Sequence, residues 1–126
     1  MSVSADFLAY VLEQLAQLAD VTSRRMFGGA GLYSDGLFFG LIMDEVLYLR
    51  VDDANRADYS SRGMAQFRPY VDRPHLSMNY YEIPAEVLED AAELVSWARR
   101  SVTVAKNASQ PAAARNPKLV RRRRLR

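Results

Sequence analysis

The residues of this sequence able to do chemistry are few, and their spacing decides what they can do. His75 is the only histidine. A nucleophile relay needs it beside an activated serine and an orienting acid, and nothing local supplies them. A metal site needs further ligands, and the carboxylates are scattered. Set between Pro74 and Leu76, His75 reads as a strand-edge residue. Asp52-Asp53 could hold a divalent cation, but adjacent side chains diverge, so helix capping is the simpler role. Gly28-Gly29-Ala30-Gly31 suggests a phosphate loop. Its spacing misses the dinucleotide fingerprint, no Lys-Ser/Thr follows, and the next element reads as a strand, so a structural turn is expected. Cysteine is absent, which excludes disulfides and thiolate chemistry and suits a reducing, cytoplasmic setting. No catalytic residue, metal ligand or cofactor follows from these groups.

Charge is more informative. The 126 residues carry a formal net charge of +2. Residues 1–105 hold nine Arg, no Lys and all 15 acids, a net −6; residues 106–126 hold two Lys, six Arg and no acid, a net +8. Two pieces of opposite sign are therefore expected: a domain over 1–105 and a basic, disordered tail over 106–126. Lys118, Arg121, Arg122, Arg123, Arg124 and Arg126 are the nucleic-acid-binding candidates. They could neutralise phosphates, but nothing among them reads base edges, so binding would be sequence-blind. Solubility and anionic lipid are the other uses of such a tail. No apolar run reaches the length of a membrane span, and the N-terminus lacks the pattern of a signal peptide.

Three clusters on the body admit a plain role and a sharper one. Glu86, Glu89, Asp90 and Glu93 read as a solvated face that complements a helix dipole, or as a dock for a basic partner. Arg24 and Arg25 must point to opposite faces of a strand, one pairing within the body or meeting a partner. Tyr80-Tyr81 could stack on bases, but the surrounding acids repel phosphate, and packing is the better reading.

The elements that must position these residues follow from periodicity. Ser4 caps a helix whose stripe is Phe7, Leu8, Val11, Leu12, Leu15, Leu18 and Ala19, with Asp20 ending it. Thr22–Phe27 is a short strand, broken by glycines and resumed at Leu32–Tyr33; Asp35-Gly36 is a hairpin turn. Leu37–Met43 is apolar on both faces, as a central strand would be, with Gly40 marking a bulge or close approach. Val46–Val51 alternates. Asp52 opens a short helix to about Arg62, stopped by Gly63. Gln66–Val71 is a weak strand and Leu76–Ile83 a better one. Pro84 begins a last helix with Val87, Leu88, Ala91, Val95, Ala98 and Val102 inward, widened by Leu94 and Trp97. The order is α-β-β-β-α-β-β-α: an α+β fold with a mainly antiparallel five-stranded sheet. The apolar strand and the tyrosine strand offer more surface than the helices cover, so a homodimer is expected.

Three stretches, "RRMFGGAGLYSDGLFFGLI" (24–42), "LYLRVDDANRADYSSRGMAQF" (47–67) and "MNYYEIPAEVLEDAAELVSWARRS" (78–101), together resemble the N-terminal domain of the TfoX/Sxy family of bacterial competence regulators. The likeness runs in order over about residues 4–105 and does not extend to the family's helical C-terminal domain. It implies a secretion-chaperone-like α+β fold. It also implies a non-enzymatic, regulatory role as a transcription co-activator that works with a cyclic-AMP receptor-type transcription factor. The matching positions are Met26, Phe27, Gly28, Gly29, Asp52, Asn55, Arg56, Gly63, Tyr81, Glu82, Pro84 and Glu89, which mark the fold rather than a site.

Overall fold

The computed structural model describes residues 4–26, 28–68 and 79–109. Helix α1 (Ala5–Gln14) leads into four strands, β1 (Val21–Met26), β2 (Gly29–Ser34), β3 (Leu37–Met43) and β4 (Val46–Arg50). Helix α2 (Arg56–Ser60), strand β5 (Tyr80–Glu82) and helices α3 (Ala85–Leu88) and α4 (Ala91–Ser109) follow. The strands form one antiparallel sheet in the order β1-β2-β3-β4-β5. The α+β class and the five-stranded antiparallel sheet are those implied by the sequence, and the all-apolar β3 is the central strand.

Tight turns set this meander. Asp35 and Gly36 have φ of 52° and 80°, and Asp44 and Glu45 have φ of 53° and 63°. Both central positions of each turn are therefore left-handed, the pattern that matches the twist of the flanking strands. The glycines after β1 separate two paired strands rather than interrupting one. Gly28 turns the chain at φ 80°, and Gly29 pairs with Met26. A Cβ on Gly29 would lie 2.1 Å from the Ile42 carbonyl oxygen, so only glycine allows β2 to approach β3 there. Of the bulge or close approach expected at Gly40, the bulge falls beside it: Leu32 pairs with Gly40 and Tyr33 with Phe38, which leaves Phe39 as the extra residue, and a Cβ on Gly40 would lie 3.1 Å from the Tyr48 carbonyl oxygen.

One face of the sheet carries the main core. Leu32, Phe39, Ile42, Leu47 and Leu49 are at most 1% exposed and pack with Val11 and Leu15 from the α1 region and with Leu94, Trp97 and Ala98 of α4. The start of α1 is as expected: the Ser4 hydroxyl accepts from the Phe7 N–H at 3.1 Å. Ser4 also donates its N–H and hydroxyl to the two carboxylate oxygens of Glu45, each at 2.7 Å, tying the helix to the β3–β4 turn.

Two helices differ from expectation. Asp52 begins a turn rather than capping α2, which starts at Arg56 after Asn55. The expected last helix is two, because the chain breaks at Glu89–Asp90. There the Asp90 carboxylate accepts from the Glu93 N–H and restarts the helix as α4. The break rotates the buried stripe. Ala91 is exposed, Leu88 and Val102 are half-buried, and Leu94, Trp97, Ala98, Ser101 and Ala105 point inward. Lys106–Ser109, expected to open the tail, form the last turn of α4.

Candidate functional site

The second face of the sheet and its β1 edge carry aromatic and arginine side chains. On that face Leu41, Met43, Phe67 and Tyr80 form a smaller buried cluster, flanked by half-buried Phe38 and Tyr48. The rings run in contact: Tyr33 stacks on Phe38 at 5.1 Å, Phe38 meets Tyr80 at 5.5 Å, and Tyr48 meets Phe67 at 4.9 Å between centroids. Arg24 of β1 lies over the Tyr33 ring at 5.7 Å, and Arg50 donates to the Phe38 carbonyl at 3.3 Å. Burial raises the Tyr48 phenol above its ordinary pKa, helped by Glu82 and Asp44, and burial likewise raises Tyr80.

Tyr80 and Tyr81 point to opposite faces, as their positions in a strand require. Tyr80 joins this second cluster; Tyr81 packs against the main core beside Tyr59, at 5.8 Å. The packing role holds for both. Of the arginine pair, Arg24 meets an aromatic ring rather than a carboxylate, and Arg25 sits opposite Ala30.

The polar markers at the start of α2 hold the fold. Asn55 is 3% exposed; its carbonyl accepts from the Asp52 N–H at 2.8 Å and its amide donates to the Arg50 carbonyl at 3.1 Å. Ser101 of α4 donates to the same carbonyl at 2.7 Å, so one β4 oxygen joins the α2 turn and α4. Asp52 accepts from the Ala54 N–H, while Asp53 pairs with Arg56 and raises that guanidinium further above its usual range. The two aspartates thus have separate partners. Among the described residues no three His, Cys, Asp or Glu side chains gather as a metal site would require.

Beside this turn, Trp97 is boxed by charge. Arg62 and Arg100 lie over its ring at 5.1 and 5.6 Å, and Tyr59 meets it edge-on at 4.9 Å. Arg100 also pairs with Asp58 at 2.5 Å, and Arg62 with Glu86 at 3.7 Å. The Tyr59 hydroxyl is buried and makes no hydrogen bond of normal geometry. Burial dominates and pushes the phenol far up, against a smaller lowering from Ser101, whose hydroxyl donates to the Arg50 carbonyl. Of the four acids read as a face, Glu86 is thus paired and Asp90 caps α4, while Glu89 and Glu93 are exposed. A depression lined by Met64, Ala65, Gln66, Arg68 and Tyr81 brings one cation near one phenol and has no carboxylate in its lining.

Phe27 and His75 lie outside the described residues, as do residues 69–71 of the strand expected over Gln66–Val71, residues 76–78 of that expected over Leu76–Ile83, and Lys118, Arg121, Arg122, Arg123, Arg124 and Arg126. Gln66 makes a single bridge to Tyr81. No helix of the described residues is long and apolar enough to cross a membrane.

What the fold defines is a small α+β module whose polar side chains mostly brace turns and helix ends, with aromatic and arginine side chains at one sheet edge. The model of the TfoX N-terminal domain matches residues 13–105, and the chain belongs to that family. The family is a regulatory one, associated with competence. A search of curated proteins finds no match.

Proposed function

We propose that this protein is a non-enzymatic regulatory module that acts by binding another protein, as the competence co-activators do. The observation that carries this reading is the family match over residues 13–105. The geometry supports it: the polar family positions around α2 are engaged within the fold, Asp52 and Arg56 inside the turn and Asn55 between that turn and β4. The partner we propose is a cyclic-AMP receptor-type transcription factor. The test is sedimentation of the purified full chain with that factor from the same organism. Co-sedimentation at equimolar ratio is expected; two independent boundaries at all concentrations would contradict it.

A second reading rests on the acid-free charge of residues 106–126. In it the tail binds nucleic acid without sequence preference. Each phosphate neutralised adds about −0.9 to the log–log salt slope on duplex DNA. Under this reading, replacing Arg121, Arg122, Arg123, Arg124 and Arg126 with Gln flattens the slope by about four to five. Equal slopes for the two chains would exclude the tail.

A further inference from the structure

The depression beside β5 is built from one side of the sheet. Residues 64–68 run back along the strand: the Glu82 N–H donates to the Ala65 carbonyl at 2.9 Å, Gln66 bridges to Tyr81, and the Phe67 N–H donates to the Tyr80 carbonyl at 2.7 Å. Alternation sends Phe67 to the second cluster and turns positions 66 and 68 toward the face of Tyr81. Met64, Ala65, Gln66, Arg68 and Tyr81 line about 380 Å³ there, a volume at the small end of ligand sites. Met64 and Tyr81 are half-buried, and both pack against the main core from this side.

Charge and hydrogen-bonding capacity decide what such a hollow would take. Around α2 the acids are matched: Asp53 with Arg56, Asp58 with Arg100 and Glu86 with Arg62. Glu82 follows Tyr81 but points to the opposite face, where it acts on Tyr48. Arg68 is exposed, and among the described residues no ion pair, hydrogen bond or ring contact holds it. From Ser60 to Val71 the sequence has Arg62, Arg68 and no acid, inside a body whose net charge is −6. Tyr81 adds a donor. Arg56 is raised first by its bond to Asp53 and, against a lowering from burial, by the Tyr81 hydroxyl, so the phenol oxygen faces that guanidinium. A guanidinium only donates, which leaves the phenol proton for another acceptor. Beside these groups the Met64 thioether offers the soft, adaptable surface that packs well on a ring. An unmatched cation, a phenol donor and an apolar flank together fit an anion carried on a small ring.

We infer that the hollow beside β5 is a binding site for a small aromatic carboxylate, with its acid group between Arg68 and the Tyr81 hydroxyl and its ring against Met64. This goes beyond the regulatory role proposed above and stands or falls without it.

The test titrates the isotope-labelled full chain with benzoate and follows backbone amide and methionine methyl shifts. Saturable shifts at residues 64–68, at Tyr81 and at the Met64 methyl are expected at millimolar benzoate. Benzamide, which keeps the ring and loses the charge, is expected to bind about tenfold more weakly, as is acetate, which keeps the charge and loses the ring. Arg68→Gln is expected to weaken benzoate binding about tenfold and Tyr81→Phe about fivefold, while Arg68→Lys stays within about threefold of the unchanged chain. Arg68 is exposed, so its variants alter the charge without disturbing the core. Replacing Arg121, Arg122, Arg123, Arg124 and Arg126 with Gln is expected to leave the shifts as they are. Four results overturn the inference: no saturable shift at residues 64–68, benzamide or acetate binding as well as benzoate, affinity indifferent to Arg68→Gln, or shifts that vanish with the tail arginines and so report only a general attraction of anions.

Discussion

Gly29, Asn55 and Tyr59 show how single residues set the limits of this fold. Gly29 is required by a contact rather than by a dihedral angle, because an added Cβ would collide with backbone that cannot swing away. Gly36 is the opposite case: its φ is 80° and nothing lies within 4 Å of an added Cβ. Gly36→Ala is expected to destabilise by about 1 kcal/mol through backbone strain alone. Gly29→Ala is expected to exceed it, by about 1–3 kcal/mol of overpacking, and urea titration of both variants ranks them. Asn55→Ala removes one side-chain bond within the α2 turn and one from that turn to β4, and is expected to lose about 2–3 kcal/mol in the same titration. Tyr59 supplies a pH dependence. Burial raises its folded pKa above the unfolded value near 10, so the folded state keeps its proton while the unfolded state releases one. Stability is therefore unaffected below pH 10 and falls above it, by up to about 1.4 kcal/mol per pH unit for one such group. Tyr59→Phe also removes a hydroxyl without a partner. It is expected to be near neutral at pH 7 and to flatten the loss between pH 10 and 11, with Tyr48 and Tyr80 supplying what slope remains.

At the scale of elements, the sequence was legible wherever one local signal decided the outcome. The Ser4 cap, the Asp35-Gly36 turn, the alternation of β4 and the bulge beside Gly40 each depend on a few neighbouring residues. Places where tertiary contacts compete with local pattern were not legible. The apolar spacing across Glu89–Asp90 fits one helix, yet the Asp90 carboxylate caps a new one and the Gln14 amide, from α1, donates to the Leu88 carbonyl at 2.9 Å. Asp90→Ala is expected to remove the cap and destabilise α4 by about 1 kcal/mol, read as a lower midpoint in thermal melting. Likewise, Asp52 has the type and position of an N-cap and its carboxylate accepts from the Ala54 N–H, but residues 53–55 form a turn and α2 begins only at Arg56. The place of Arg24 and Arg25 illustrates a further limit: they were visible as a pair, but that their strand lies at one end of the sheet depends on the pairing of all five strands.

For the whole molecule, the defining property is an acidic body carrying a basic extension, with the family match confined to the body. Near-neutral net charge arises from cancellation between these pieces, so salt should affect them differently. Binding by the extension, through phosphate neutralisation, would weaken steeply with salt. The most direct measurement is amide hydrogen exchange along the full chain, with and without the purified cyclic-AMP receptor-type factor. Slowed exchange within residues 13–105, unchanged when the five tail arginines Arg121, Arg122, Arg123, Arg124 and Arg126 are replaced by Gln, is the predicted result. Protection confined to residues 106–126, or none anywhere at saturating factor, would contradict the protein-binding role of the body.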